Sequence, residues 1–597
     1  MDDKKPPRRL GLTRIGLVWA VLACLLGVAA PGGARAQDDA AGADVALTPM
    51  TVTARGVPRP TSLTPGSVGV IEADEIAETA PLGLADAAAR LAGVDVSDDS
   101  PYGADISIRG LGRDSVVFLI DGCRVNMTTD LNGRFGLVNP MDVERIEVIK
   151  GPASVLYGSG STGGVVNIIT KKGRFEKDAA WHGETMATGS TNPQGGDLYG
   201  NLSYNSDRAW FLGSGSWREA DDYRSGGGDR VSNSKFSDWS GKLAAGWAWS
   251  DTQSTMLQYQ HTEGDGIGIP GKGTANVPVG AELTLEDNDR QFLQMEHSFK
   301  PEDSVLAEST LQLSYQKIER NPRIDKFAAG NYYLKPEAQY ETQALNWKNV
   351  FELGSHTLVA GVDAWNWHYM HSTRVRKTLA GAVFTDTPTP NTDQTSAGIY
   401  VEDDWALAEA WILNLGLRGD GVFMDNESTR TIEAGSHESL DWGGHVGLTW
   451  IFAPDWSMTG LVAASYRSPN ILERFKNINL GGGKAEIGNP DLRSERSTFW
   501  EYGLHLADQT LRWDSSVFLN QVEDYIGSTA VSPTVYQMGN VARARLWGVD
   551  SSVDWRFAEA WSAYGNIAYT EGFDDKTGEP LRFVAPLGGL LGLRQEL

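Results

Sequence analysis

From about residue 174 to its end, the chain alternates apolar and polar residues with a period of two. Leu198, Gly200, Leu202 and Tyr204 alternate with Asn201, Ser203 and Asn205. Trp411, Leu413, Leu415 and Leu417 alternate with Asn414, Gly416 and Arg418. Trp500, Tyr502, Leu504 and Leu506 alternate with Glu501, Gly503 and His505, and Trp547, Val549, Val553 and Trp555 with Asp550, Ser552 and Asp554. Successive side chains of a strand point to opposite faces, so each run is a strand with one apolar, aromatic-rich face and one polar face. Such an array leaves a soluble sandwich or a membrane β-barrel.

Three features select the barrel. The first is an export leader. Lys4, Lys5, Arg8, Arg9 and Arg14 precede an apolar run at 15–30, and Ala34-Arg35-Ala36 supplies an A-x-A cleavage site before Gln37. This is the layout of a secretory signal peptide, and the run is short for a membrane span. Arg8-Arg9 as a twin-arginine signal, and 21–24 as a lipoprotein site at Cys24, are weaker readings of the same leader. The second is Trp and Tyr clustered near strand ends, as interfacial girdles are. The third is long polar segments, such as 263–283 and 385–393, placed as external loops. Mean hydropathy is -0.30, and no apolar run of about 20 residues follows the leader, which excludes a helical membrane protein. A net charge of -25 argues against nucleic acid as a partner. Cleavage after Ala36 removes Cys24 and leaves Cys123, so the mature chain is no disulfide scaffold. Export without disulfides points to the cell envelope of a Gram-negative bacterium.

Between leader and barrel, 37–47 is small, acidic and aperiodic, a flexible lead-in. Residues 60–173 read as a small α/β domain, with strands expected at 68–71, 106–108, 116–120, 146–149 and 165–170. Short helices are expected at 74–76 and 82–91.

The stretch 144–170 runs from Glu144-Arg145-Ile146-Glu147-Val148-Ile149-Lys150-Gly151-Pro152 through Tyr157-Gly158 to Gly163-Gly164-Val165-Val166-Asn167-Ile168-Ile169-Thr170. With Ile108-Arg109-Gly110 and Leu119-Ile120-Asp121-Gly122, it resembles the plug signature of the TonB-dependent outer-membrane receptors. Asn489-Pro490-Asp491-Leu492, then Glu495, Ser497, Glu501, Gly503 and Leu504, is similar to the family's late barrel strands. The resemblance runs from about residue 48 to the end. It implies a 22-stranded membrane β-barrel with an N-terminal α/β plug domain in its lumen, importing a scarce ligand with inner-membrane energy. The expected layout is a signal peptide at 1–36, a tail at 37–59, the plug at 60–173 and the barrel at 174–597. Barrels of this family end on a terminal aromatic. Here the chain ends Gly592-Leu593-Arg594-Gln595-Glu596-Leu597, and 586–596 aligns with about the eighteenth strand. An incomplete barrel lacking its last strands is therefore expected.

The resemblance also implies site residues. Thr48, Pro49, Met50, Thr51, Val52, Thr53 and Ala54 resemble the TonB box, a β-branched segment able to add as a strand to a partner's sheet edge. Arg109 and Arg145 resemble plug arginines that pair with barrel carboxylates. Parity puts Glu501 and Asp550 on the lumen side, although Asp550 is one methylene shorter than the family's usual Glu. Gly158, Gly160, Gly163 and Gly164 surround Tyr157 but lack the G-x-x-x-x-G-K-[ST] pattern of a nucleotide loop.

Cys123 and Met127 form C-x-x-x-M, and His368 and Met370 form H-x-M. Soft sulfur and imidazole ligands suit copper, which a few family members import through such a set. His368 and Met370 lie opposite in parity to Trp365, Trp367 and Tyr369 and are expected to face the lumen, with Asp363 out of step. Asp121, Arg124, Asn126 and Gly133-Arg134-Phe135 resemble the haem-receptor branch, yet neither 128–132 nor 471–488 carries that branch's axial His. Ferric siderophores are the family's default ligand, and cobalamin is a further alternative. An anionic siderophore would look for basic segments at 317–326 or 374–377.

No H-E-x-x-H, G-x-S-x-G or C-x-x-C occurs, so no catalysis and no resident cofactor are expected. A signalling receptor would need a folded domain of its own before the box. A non-transporting remnant is the other alternative. Expected partners are the TonB energy-coupling protein, outer-membrane lipid and lipopolysaccharide, and a small metal chelate; the chain is expected to be monomeric.

Overall fold

The computed structural model describes residues 51–52, 57–98, 100–127, 133–270, 281–325, 331–481, 484–581 and 584–596. The leader, and box residues Thr48, Pro49, Met50, Thr53 and Ala54, lie outside the described residues.

A sheet of 21 strands runs in chain order from Ala180–Thr191 to Gly588–Gln595. Three of these, Val383–Asp386, Asn477–Gly481 and Lys484–Ile487, are short strands in connections. The wall closes behind them by pairing Tyr369 with Thr392 and Arg467 with Glu495. The others are the long strands of the wall, and Gly588–Gln595 is the eighteenth of them. Among the described residues the first and last strands pair on one side only, so the barrel is open.

The wall is inverted relative to a soluble protein. Leu440 is 80% exposed and Tyr502 66%, whereas Glu501 and Asp550 are buried. Leu198, Leu202 and Leu417 likewise point out while Ser203, Asn205 and Arg418 point in. A continuous apolar exterior over a polar lumen suits lipid and would aggregate in water. Aromatic residues gather at the end where the connections are short, such as 409–410 and 454–455. Trp411 and Trp450 stack there across a strand pair, 5.3 Å between centroids.

Not every external segment is loop. The strands Gln253–Pro270 and Glu282–Phe299 run well into 263–283, where a loop was expected. The reason is a second apolar face: Ile267, Ile269, Leu283 and Leu285 bury themselves with Tyr102 and Phe236.

The plug carries a five-stranded sheet in the order Val68–Glu72, Val143–Lys150, Gly164–Thr170, Val116–Ile120, Cys123–Arg124. Gly164–Thr170 runs parallel to Val116–Ile120, which the long intervening connection permits. Gly164 adopts φ +154, and a Cβ there would collide with the Ile149 carbonyl. A second sheet joins Val94–Asp98, Ala104–Ile108 and Leu111–Gly112. Its α-helices are Ala73–Thr79, Leu84–Ala88 and the single turn Ser154–Tyr157. The plug core, including Ile71, Leu84, Ile108, Phe118, Ile146 and Val166, continues into inward wall residues Ile318, Tyr340, Trp367 and Tyr369. The plug therefore fills the lumen and packs directly on its wall.

Candidate functional site

Plug and wall meet in two chemically different places. At one, the strand Ala104–Ile108 ends and the backbone turns through Arg109 at φ +51. This throws the Arg109 guanidinium toward three consecutive wall strands, Glu495–Ala507, Leu511–Ala530 and Val535–Ala558. Its Nε donates to Asp550 at 2.9 Å, and its other nitrogens donate to Glu501, to Ser516 at 2.8 Å and to the plug's Ser67 at 3.0 Å. Ser67 and Ser516 donate onward to Glu501 and Asp550. The ring of Phe518 lies 4.3 Å from the guanidinium carbon. Lys150 adds a second cation 3.9 Å from Asp550. Burial weakens a cation's hold on its proton, but Asp550 and Glu501 reverse this for Arg109 and hold it above its ordinary value.

Arg145, expected in the same cluster, is engaged elsewhere. Its Nε donates to Glu147 at 2.8 Å, two residues along the same plug strand. Residues i and i+2 share a face of a strand, so a carboxylate is available without crossing to the wall.

Further contacts tie the plug to the wall around its girth. Asp121, in the turn after Val116–Ile120, accepts from the Thr170 amide at 3.0 Å and hydroxyl at 2.9 Å, and from Gln260 at 2.9 Å. Gln294 and Gln312 donate to its backbone carbonyl. Burial would raise the Asp121 carboxyl; Lys172, Lys242 and the Thr170 bonds outweigh it and hold the group below the ordinary carboxylate range. Lys242 of the wall donates to Asp142 at 2.6 Å.

The second place is the plug's other face, toward the long connections. A cavity of about 90 Å³ lies there between plug and wall. Arg124 and Asn126 line it from the plug, Trp367, Gln394 and Arg467 from the wall. Two arginines at this cavity are neutralised. Arg134 bonds both oxygens of Asp105 at 2.9 and 2.7 Å. Arg467 bonds Glu473 at 2.9 and 3.0 Å and Glu495 at 2.8 and 2.7 Å. Arg124 differs: it donates to the Tyr157 carbonyl and sits 5.6 Å from the Trp365 ring, with no carboxylate in ion-pair range among the described residues. Burial pushes it down to about 10, against the opposing pull of Asp363. Asn126 Nδ2, Trp367 Nε1 and Gln394 Oε1 are buried without a hydrogen-bond partner. Each such atom costs about 1–3 kcal/mol.

The sulfur and imidazole residues do not converge. Cys123 is buried, accepts from Gln294 at 3.4 Å, and burial pushes its thiol up to about 12, away from the thiolate a metal needs. Met127 packs against the plug core. Trp367 and Tyr369 face inward, buried with Tyr340, so His368 and Met370 fall on the outward face, the reverse of the expectation. His368 pairs there with Asp393. The apolar plug surface draws these aromatics inward, and Asp363, bound by Arg418 at 2.6 and 2.9 Å, shows the true inward parity. Of the basic segments, Lys317 is paired with Glu319 and Arg374 with Asp386. Of the expected box, Thr51–Val52 forms a two-residue antiparallel pairing with Arg59–Pro60.

A family model described as TonB dependent receptor-like, beta-barrel matches residues 216–595, and one described as TonB-dependent Receptor Plug Domain matches residues 60–165. A hemin receptor of Yersinia enterocolitica is 25% identical over 584 residues, covering 90% of this chain and 80% of that protein. The ferrienterobactin receptor of Escherichia coli K12 is 25% identical over 606 residues, covering 82% of this chain and 74% of that protein. Among solved structures, the copper transporter OprC superposes with a TM-score of 0.76 at 18% identity, covering 89% of this chain and 84% of that one. The ferric yersiniabactin uptake receptor FyuA from Yersinia pestis does so at 0.69 and 16% identity, covering 90% and 84%.

Proposed function

The chain belongs to the TonB-dependent receptors, and from that premise we propose that it imports iron across the outer membrane as a ferric siderophore. One observation carries the reading. The plug is tied to the wall by paired charges at Arg109, while its opposite face offers aromatic rings and the Arg124 guanidinium, which has no carboxylate in ion-pair range among the described residues. That face suits an anionic, partly aromatic ligand. A plug packed on the wall blocks free diffusion, so passage requires work on the plug. A β-branched segment at the box, pulled by a partner through strand addition, supplies that work. The Arg109 cluster is the contact that such a pull would have to break.

A second reading, haem, is favoured by the hemin receptor among the relatives and by Asp121, Arg124, Asn126, Arg134 and Phe135 in the plug. Copper has less support, since Cys123 and Met127 lie in the plug while His368 and Met370 face outward. TonB-dependent growth of a transport-deficient host expressing this chain, on siderophore-iron, haem, cobalamin or copper as sole source, separates the readings. Growth on at least one ferric siderophore, lost without TonB, is expected. Growth on haem alone would replace the siderophore reading.

A further inference from the structure

We propose that His261, Glu263 and Asp289 form a divalent-cation site of the zinc type on the outward face of the barrel wall. The inference stands apart from the importer reading and holds whichever ligand is carried.

The strands Gln253–Pro270 and Glu282–Phe299 pair antiparallel, and their register sets Glu263 directly opposite Asp289 and Asp265 directly opposite Asp287. Residues two apart share a face of a strand, so all four carboxylates lie on one face over two neighbouring rungs. Like charges directly opposite destabilise a strand pair. Acids beside them are neutralised: Glu319 by Lys317, and Glu286 by Lys335 and Arg323. Glu263, Asp265, Asp287 and Asp289 have no Lys or Arg in ion-pair range among the described residues. A backbone pairing that sets acid against acid, next to acids that are neutralised, calls for a cation from outside.

His261, one rung nearer the lipid band, supplies an imidazole on the same face, its Nε2 2.7 Å from Asp289. Among the described residues this is the one place where three side chains of metal-binding type converge, their ligand atoms all within 4.8 Å of one another. His356 and His368 each have one carboxylate in ion-pair range, Asp403 and Asp393. The ligands are also held in place. Trp239 donates its indole N–H to Glu263 at 3.2 Å, and its ring stands edge-to-face with His261, 4.8 Å between centroids. Gln291 donates to Asp289 at 3.4 Å. Outer contacts of this kind orient the groups that ligate a metal.

One imidazole and two carboxylates fill three positions of the tetrahedral set that zinc prefers and leave a fourth open. Calcium and magnesium take oxygen ligands, so the imidazole selects against them. The cluster tops the lipid-facing band: Leu257 and Tyr259 on the same strand face, and Leu293 on the neighbouring strand, are exposed, and Trp239 stands beside it as a girdle residue. A dication held there balances the Glu263 and Asp289 charges and removes the repulsion between this face and anionic headgroups.

The test uses the full chain purified in detergent without a histidine tag and stripped with a chelator. Zinc, cobalt and calcium chlorides are titrated separately by calorimetry, with cobalt also read by its visible d–d bands. Zinc should bind more tightly than calcium. His261→Ala and Asp289→Asn should each weaken zinc by about tenfold or more, at least the loss that follows removal of an outer contact. Trp239→Phe, which keeps a ring and removes the N–H, should weaken it by a smaller factor. His368→Ala should leave zinc affinity unchanged. Cobalt should give the intense bands of a four-coordinate site in wild type and lose them in His261→Ala. Circular dichroism checks that each variant keeps its strand content. The proposal is overturned if wild type binds no zinc, or if zinc affinity is the same in wild type, His261→Ala and Asp289→Asn. Calcium binding as tightly as zinc, and indifferent to His261→Ala, would overturn it as well.

Discussion

At the Arg109 end of the plug, all three guanidinium nitrogens meet acceptors supplied by plug and wall. At the Arg124 end, a half-buried guanidinium borders a cavity with three unpartnered polar atoms. Both arginines come from short plug strands and both reach the barrel wall. The difference lies in where their counter-charge comes from. Arg109 finds Glu501 and Asp550 within the chain and pairs the plug with the wall. Arg124 has no carboxylate in ion-pair range among the described residues and donates to the Tyr157 carbonyl beside the Trp365 ring.

The largest effect is expected from Val52→Pro. Proline removes a ladder donor in the box, so uptake should fall to background while ligand affinity at the Arg124 end is unchanged. Parallel uptake and equilibrium-binding measurements check this; uptake at the wild-type rate would break the link between the box and the lock. Next comes Arg109→Ala. It leaves Glu501 and Asp550 buried without their main cation and should cost about 3–5 kcal/mol. Hydrogen exchange of the strand Ala104–Ile108 should accelerate accordingly.

Arg145→Ala should cost less, about 1–3 kcal/mol, and act inside the plug. Protection should fall along Val143–Lys150 and stay unchanged at Arg109, the opposite of what a shared cluster would give. Acid should act more weakly still at first. A carboxyl depressed on folding, as Asp121 is, adds stability that is present above its unfolded value of about 3.9. That stability is lost as pH falls through the lower folded value. Plug protection should thus be level from roughly pH 8 to roughly pH 5 and decline only below about pH 4. Exchange rates at Thr170 across this range test it, and Asp121→Asn should flatten the acid limb. Smallest is His368→Ala. With that ring on the outward face, ligand affinity should change by less than about twofold.

How much of this was legible in the sequence follows from which forces act locally. Alternation exposed the wall because each strand answers to lipid on one side and lumen on the other. Strand parity puts Glu501 and Asp550 on the lumen side, where both are buried. The same rule fails at Trp365, Trp367 and Tyr369, since the plug's apolar surface turns an aromatic residue inward just as lipid turns one outward. Asp363 held the right parity, because a charge has no place on the lipid face. The hairpin through Ile267 and Leu283 was hidden for a similar reason: its apolar partners, Tyr102 and Phe236, are remote in sequence. Arg145 was misassigned because the resemblance ignores Glu147 two residues on. Val94–Asp98 was missed since polar residues interrupt it. Of the Arg124 cavity, the motif suggested Arg124 and Asn126, but nothing local brings Trp367 and Gln394 to them.

The most direct measurement is accumulation of radio-iron, supplied as ferric siderophore, by cells expressing the full chain, with and without a protonophore. Energised accumulation that collapses with the protonophore, and equally in the Val52→Pro chain, is the expected result. Equal accumulation in energised and de-energised cells would contradict an importer whose plug must be pulled from its Arg109 anchor.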